Sequence, residues 1–271
     1  MIIDAHIHFD QYTKEQQQLI LNDMLPNKIT HLITVSTDLQ SCIANLALSQ
    51  QDDRILPAFG FHPEQLLPDQ AAQTKLFDWV RENNEHMVAI GEVGLPYYSN
   101  KEKTVCYEPY LELLEKFVVL AAELDKPIVL HAVYEDADQA IELLEKHQLT
   151  AAHFHWFKGN PQTVDRMIAN GYYISVTPDL LYEEEIQQLV QRYPLEQIMV
   201  ETDGPWPFEG PFNGQMTHPK MIKATIEKIA EIKQRSVGEV ADMLYKNTCR
   251  FYPALTGSKT TTSRFREKRK R

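Results

Sequence analysis

The chain has 271 residues, 43% of them hydrophobic, with 27 Lys and Arg against 38 Asp and Glu for a net charge of −11. That length and apolar content suit one large α/β domain; no Gly/Ser- or Pro-rich linker divides it, and the longest apolar runs are far too short to cross a bilayer. Residues 258–271 carry seven Lys and Arg against the single acid Glu267, a balance of +6, so the remaining 257 residues hold −17, a body that should not bind a polyanion without metal ions or a local basic patch.

The chain begins Met-Ile-Ile-Asp4-Ala-His6-Ile-His8-Phe-Asp10. Strand side chains alternate faces, so Asp4, His6 and His8 are expected on one face and Ile3, Ile7 and Phe9 on the other, toward an apolar partner layer. Further strands are predicted at residues 31–36, 55–61, 87–93, 127–132, 150–156, 172–176 and 198–202. Amphipathic stretches fall at 14–23, 39–49, 110–124, 137–147, 161–170 and 183–193, and two helices, 219–234 and 237–251, follow the last strand. Ser236 with Glu239 three residues on reads as a capping box. Alternating strands and helices specify a parallel sheet with crossover helices. Eight strands in so short a chain predict a closed (β/α)8 TIM barrel rather than a doubly wound open sheet. The expected organisation is one barrel domain over 1–256 and a basic tail over 257–271, read as a solvated segment rather than a nucleic-acid tether. Strand-like sequence from Ile2 leaves no room for a signal peptide, and Cys42, Cys106 and Cys249, odd in number and without Cys-x-x-Cys spacing, read as free thiols of a cytoplasmic protein.

Active sites of such barrels lie at the carboxyl ends of the strands. The first strand ends in His6 and His8, the fourth in Ile-Gly-Glu92-Val-Gly-Leu, the fifth in Ile-Val-Leu-His131, the sixth in His153-Phe-His155-Trp-Phe, and the eighth in Val-Glu201-Thr-Asp203-Gly-Pro. Each follows an apolar run. Neutral imidazoles and carboxylates converging from five strands are a donor set for divalent first-row ions, which predicts a metal-dependent hydrolase.

In order and approximate spacing these motifs resemble the TatD family of metal-dependent hydrolases, within the wider amidohydrolase-like barrels. The Gly60-Phe-His62-Pro63 turn, His155-Trp-Phe-Lys-Gly159 and Asn247 also match, and the resemblance runs from residue 1 to about 252. It implies a (β/α)8 barrel with two divalent ions (Zn, Mn, Mg, Fe, Co or Ni). By that resemblance His6, His8 and Asp203 hold one ion, His131 and His155 hold the other, and Glu92 bridges them. Two cations a few ångströms apart need an anionic bridge, and no lysine stands at a suitable strand end to be carboxylated, so Glu92 takes that place. The ions lower the pKa of a water and stabilise charge on a phosphoryl oxygen; Asp203 is the candidate general base. Asp4 and Glu201, one layer deeper, are expected to orient the imidazoles through hydrogen bonds. His62 either contacts substrate phosphate or stabilises the bend at Pro63. His153 is expected to be a buried, hydrogen-bonded histidine rather than a ligand. His31, His86 and His147 are read as structural or surface residues. Trp156 and Phe157 are expected to pack between strand and helix, with the pocket mouth as the other place for Trp156.

Three departures from the family concern the substrate. Where relatives commonly read Gly-Leu-Asp-Tyr-Tyr, this chain has Gly94-Leu95-Pro96-Tyr97-Tyr98; after His131 it has Ala132-Val133-Tyr134 and lacks an arginine; and the segment 204–219 has no Lys or Arg, while carrying Glu209, Trp206, Phe208 and Phe212. Arginine forks are the usual grip on phosphate, whereas aromatics stack on bases or line a small apolar pocket. The expected activity is therefore hydrolysis of phosphoester bonds through a metal-activated water, as a deoxyribonuclease of 3′–5′ exonuclease character on single-stranded DNA. The alternative is a binuclear hydrolase of a small amide, lactone or phosphoester without DNA activity. A third reading, a scaffold that merely retains metal, is disfavoured by the intact donor set.

Overall fold

The structure is a computed structural model that describes residues 1–255; the basic tail over 257–271 lies outside the described residues. Eight strands form one parallel sheet in sequence order: β1 (Ile2–Ile7), β2 (Ile29–Val35), β3 (Ile55–Phe59), β4 (Ala89–Gly94), β5 (Ile128–His131), β6 (Ala152–Phe154), β7 (Tyr173–Val176) and β8 (Ile198–Val200). Register is parallel throughout, for example Leu32 against Ile55 and Ile174 against Ile198. The last strand returns to the first. The Asp203 N–H donates to the His6 carbonyl (2.9 Å), the His8 N–H to the Gly204 carbonyl (2.7 Å), and the Thr202 N–H to the Asp4 carboxylate (3.0 Å). These bonds close the (β/α)8 barrel at the carboxyl ends of its strands.

The helices are α1 (Lys14–Met24), α2 (Leu39–Gln51), α3 (Gln70–Glu82), α4 (Tyr97–Lys101), α5 (Glu108–Glu123), α6 (Glu135–Lys146), α7 (Pro161–Ala169), α8 (Glu184–Arg192), α9 (Ile222–Lys233) and α10 (Val237–Phe251). Local chemistry sets their starts. Asp38, Asp69 and Asn160 side chains accept the third backbone N–H of α2, α3 and α7, and Ser236 with Glu239 forms the expected capping box of α10. Each such cap stabilises a helix by about 1 kcal/mol. Helix α3 has no counterpart among the sequence-based elements, although Leu76, Phe77 and Val80 supply a buried stripe behind the Asp69 cap. Short α4 was not expected either. Several strands end earlier than predicted, so His8, His155 and Asp203 stand in the turns just beyond the regular ladder.

Two apolar layers organise the barrel. Ile3, Ala5, Ile33, Val35, Ala58, Val129 and Met199 fill its interior against Phe251 and Tyr252 from the end of α10. Ile7, Phe9, Leu32, Phe59 and Ile90 belong instead to the larger layer between strands and helices. Ile3 and Ile7 therefore do not share a face, as simple alternation had implied. The β1–β2 register is irregular between Asp4 and Ile7, which breaks the two-residue period before the histidines. Among the described residues no helix is long and apolar enough to cross a membrane.

Candidate metal centre

The carboxyl ends of β1, β4, β5, β6 and β8 bring His6, His8, Glu92, His131, His155 and Asp203 into one buried cluster. Glu92 sits at its middle, fully buried, and its two oxygens face different partners. Oε2 lies 3.3 Å from His6 Nε2 and 3.4 Å from His8 Nε2. Oε1 lies 3.1 Å from His131 Nδ1 and 2.6 Å from His155 Nε2. On the first side, Asp203 Oδ1 stands 3.3 Å from His6 Nε2 and 3.4 Å from His8 Nε2. The His6 and His155 rings stack with centroids 3.8 Å apart.

Close backbone approach makes this density of ligands possible. A side chain at Gly60 would run into the Glu92 carbonyl at 2.5 Å, and one at Gly94 would collide with the His131 carbonyl, so both positions admit only glycine. Trp156 and Asp203 take left-handed backbone angles, φ 40° and 50°, that favour glycine. Strain of this kind is retained where the surroundings fix it. Here the Trp156 N–H donates to Glu201 Oε1 (2.8 Å) and the Asp203 N–H to the His6 carbonyl.

The electrostatics fit a divalent cation. Both Glu92 oxygens, Asp203 Oδ1, both His6 nitrogens, His8 Nδ1, His131 Nε2 and His155 Nδ1 are buried without a hydrogen-bond partner among the described residues. Such a concentration of dry donors is costly unless something coordinates it, and ligand atoms of His6, His8 and Asp203, of His6, Glu92 and His155, and of His62, Glu92 and His131 each gather within 4.8 Å. Burial alone would raise the Glu92 carboxyl, yet the surrounding His155, His62, His6 and His131 hold it well below the carboxylate range. For His6, burial and His155 pull downward, but Glu92 and Asp203 outweigh them and lift it to about 9. The acids set a field that favours positive charge.

The supporting residues divide differently from expectation. Glu201 lies behind His155, its Oε1 3.6 Å from Nδ1. Among the described residues no imidazole nitrogen is a hydrogen-bond partner of Asp4. Its carboxylate accepts the N–H and hydroxyl of Thr202 and the His6 N–H, so it fastens β1 to the end of β8 rather than aiming a ring. The reason is geometric: with β1 and β8 adjacent, the nearest donors are the Thr202 hydroxyl and two backbone N–H groups. His62 combines two features, Nδ1 accepting the Glu64 N–H within the Pro63 bend and Nε2 lying 3.5 Å from Glu92 Oε1. Burial first, and then neighbouring histidines, push it down to about 3 against the pull of Glu92. His153 is fully buried between the Tyr252 and Ser175 hydroxyls. Phe157 packs in the outer layer as expected, whereas Trp156 lines the pocket with its indole N–H on Asp179.

Above the cluster opens a cavity of about 770 Å³ lined in part by Gln11, Gln65, Tyr98, Trp156 and Trp206. No Lys or Arg is among its lining residues. Of the three aromatics beyond Asp203, Trp206 lines it and is 60% exposed, while Phe208 is buried. Glu64, not singled out from the sequence, also lines it. That carboxylate accepts the Tyr98 N–H (2.8 Å), the Ser99 N–H (2.9 Å) and the Ser99 hydroxyl (2.6 Å), and lies 3.7 Å from His131 Nε2. Although half-burial opposes it, these donors and His131 hold Glu64 down to about 2. Its position directly after the His62-Pro63 turn was the available signal.

Comparison with known proteins agrees with this geometry. Residues 3–253 match the family model described as TatD related DNase. An uncharacterized metal-dependent hydrolase of Haemophilus influenzae is 39% identical over 254 residues, covering 93% of this chain and 99% of that protein. Another, from Methanocaldococcus jannaschii, is 30% identical over 258 residues, covering 92% and 96%. The crystal structure of YjjV, a TatD homolog from Escherichia coli, superposes with a TM-score of 0.83 at 25% identity, covering 93% of this chain and 98% of that one. The chain belongs to the TatD family of metal-dependent hydrolases.

Proposed function

We propose that this chain hydrolyses phosphoester bonds with two divalent ions, taking the terminal nucleotide of a single strand of DNA or a comparably small phosphoester. The observation that carries the reading is the two-faced Glu92, with His6, His8 and Asp203 on one side and His131 and His155 on the other. His6, His8 and Asp203 would hold one ion, His131 and His155 the second, and Glu92 would reach both. When bound, such ions supply the charge that acidifies a water and stabilises a phosphoryl oxygen.

The chain's own residues do the rest. Asp203, whose side chain keeps some exposure to the cavity, takes up the proton of the attacking water. The exposed Trp206 offers a flat face on which a base stacks, an interaction worth about 1–3 kcal/mol per base, and Trp156, with the Lys158 ammonium 5.4 Å from its ring centroid, lines the cavity beside it. Asp179 pins the Trp156 indole at 2.5 Å, so that face is fixed before substrate arrives. Among the described residues no Lys or Arg lines the cavity to track a run of phosphates. This favours a single strand end over a duplex and also supports the second reading, a small phosphoester, lactone or amide with no DNA activity. Residues 1–256 act as one catalytic domain, and the tail over 257–271 takes no part in the chemistry.

The test is a turnover screen with Mg, Mn or Zn on end-labelled single-stranded DNA, on a bis-aryl phosphodiester and on simple lactones and amides. Release of mononucleotides or of the aryl alcohol supports the reading. Turnover of lactones or amides with none on either phosphoester overturns it.

A further inference from the structure

Two exposed aromatic side chains stand on opposite walls of the cavity above the cluster. Tyr98 belongs to α4, just beyond the end of β4, and Trp206 to the turn beyond β8. The eight strands run in order around the barrel and β8 returns to β1, so the ends of β4 and β8 lie half a turn apart. His8, His131, His155 and Asp203 line the same cavity and form its base between the two walls.

Each ring is open to a stacked partner, Tyr98 being 42% exposed and Trp206 60%. Each is also tethered to the cluster through its backbone. The Tyr98 N–H donates to Glu64 at 2.8 Å, and that carboxylate stands 3.7 Å from His131 Nε2. The Trp206 N–H donates to the Asp203 carbonyl at 3.2 Å, and the Thr217 hydroxyl donates to the Trp206 carbonyl. Both main chains are thus fixed before a ligand arrives, and less freedom is lost on binding. Trp156 is already engaged: Asp179 holds its indole N–H, and the Lys158 ammonium, itself 3.4 Å from Glu183 Oε2, lies 5.4 Å from its ring centroid.

The cavity also sets a limit. Its volume of about 770 Å³ is that of a small-molecule site, for which about 300–1,000 Å³ is usual. Proteins that follow a long single strand do so along a positively charged groove, and among the described residues no Lys or Arg lines this one. Stacking needs no charge, so two rings select two flat groups and nothing beyond them adds affinity.

We propose that the substrate is a phosphodiester with one flat aromatic group on each side of phosphorus, a dinucleotide in size, held between Tyr98 and Trp206 with its phosphate over the cluster. The phosphate rests on the phosphoester reading given under the proposed function; the pair of stacking walls does not. Hydrolysis adds one water across one P–O bond and gives a phosphomonoester and an alcohol, each with a single aromatic group. Either product keeps only one wall and leaves more readily than the substrate.

The experiment is titration calorimetry on the full chain loaded with Mn, using thymidine oligomers whose methylphosphonate links carry no charge and resist hydrolysis. The two-base compound is expected to bind about 5–150-fold more tightly than a one-base compound capped with a methyl ester, and longer oligomers no more than about threefold more tightly than the two-base one. Tyr98→Ala and Trp206→Ala should each erase the two-base gain, whereas Tyr98→Phe and Trp206→Phe should keep most of it. Should an alanine variant fail to fold, the length series on wild type still decides. Affinity that climbs steadily from two bases to six, or that neither alanine variant changes, overturns the proposal. Turnover of thymidine dinucleotide phosphodiester is measured beside it. Two-base binding without any turnover upholds the stacking walls and removes the phosphoester reading; turnover with equal affinity for one and two bases does the reverse.

Discussion

Replacing Glu92 by Gln keeps the shape of the side chain and removes its charge, and it bears on both proposed ion positions at once. Glu92 Oε2 lies 3.3 Å and 3.4 Å from the His6 and His8 nitrogens, and Oε1 lies 3.1 Å and 2.6 Å from those of His131 and His155. An ion that binds only the folded chain adds RT ln(1 + [L]/Kd), about 2.7 kcal/mol at a hundredfold excess over Kd, so two independent positions add about 5 kcal/mol. If Gln weakens each position a hundredfold, nearly all of that vanishes at the same concentration. For a chain of this size about 1 kcal/mol moves Tm by about 2–4 °C, so the gap between metal-loaded and chelator-stripped protein should shrink by about 10–20 °C. His131→Ala, which touches one position, should shrink the gap by about half. Calorimetry of each protein with Mn or Zn and again with chelator measures this, and comparison within each variant cancels any effect on the metal-free fold. A Glu92→Gln protein with the full metal-dependent rise in Tm refutes Glu92 as the shared ligand.

Two further substitutions test the scaffold. His218 is buried, with Nδ1 accepting the Lys220 N–H at 3.1 Å; burial, then the Lys220 charge, pushes it down to about 4 despite Asp23. The unfolded chain takes a proton near pH 6.5 and the folded one only near 4, so stability falls as pH drops between them, by about 2 kcal/mol from pH 7 to 5. His218→Gln should remove that part of the slope in urea unfolding, and equal slopes would show that His218 does not titrate this way. Asn247, fully buried, donates from Nδ2 to the Leu195 and Ile198 carbonyls, both at 2.7 Å, and so ties α10 to the start of β8. Asn247→Ala leaves both carbonyls dry and should cost about 2–4 kcal/mol in denaturant unfolding without altering metal affinity; a loss below about 1 kcal/mol would contradict it.

That the side chains of the candidate metal centre gather at one end of the barrel could be read from the sequence because the requirement is local. His6, His8, Glu92, His131, His155 and Asp203 each stand toward the end of a short strand or just beyond it, and a closed parallel barrel puts all those strand ends on one face. What the sequence could not give was anything decided by contact between distant segments. Asp4 lies two residues before His6 and reads as a partner of the imidazole; only the return of β8 beside β1 supplies Thr202 as its donor. The alternation that placed Ile3 with Ile7 failed because register against β2 slips between Asp4 and Ile7. Helix α3 is faint in the sequence because its buried stripe is only Leu76, Phe77 and Val80, all beyond its first turn, so the Asp69 cap is its clearest mark.

Substrate recognition was the least legible, and the aromatics show why. From the sequence Trp156 reads either as packing between strand and helix like Phe157 or as lining the pocket mouth, and Phe157 does pack there. The left-handed backbone of Trp156 turns the indole toward the cavity, where Asp179, far along the chain, holds it. Trp206 and Phe208 are two residues apart and equally apolar, yet one lines the cavity and the other is buried. No periodicity separates them, since the segment from Gly204 to His218 forms no regular strand or α-helix, only isolated turns and a short 3-10 helix at Gly210–Phe212. The missing cations are legible in the sequence, because the absence of Lys and Arg between residues 204 and 219 holds however the segment folds. A cavity walled by carboxylates, imidazoles, amides and indoles repels phosphate until cations are held at its base. For the phosphoester proposed above, the positive charge would then come from the ions themselves, which would make metal occupancy a condition of substrate binding as well as of chemistry.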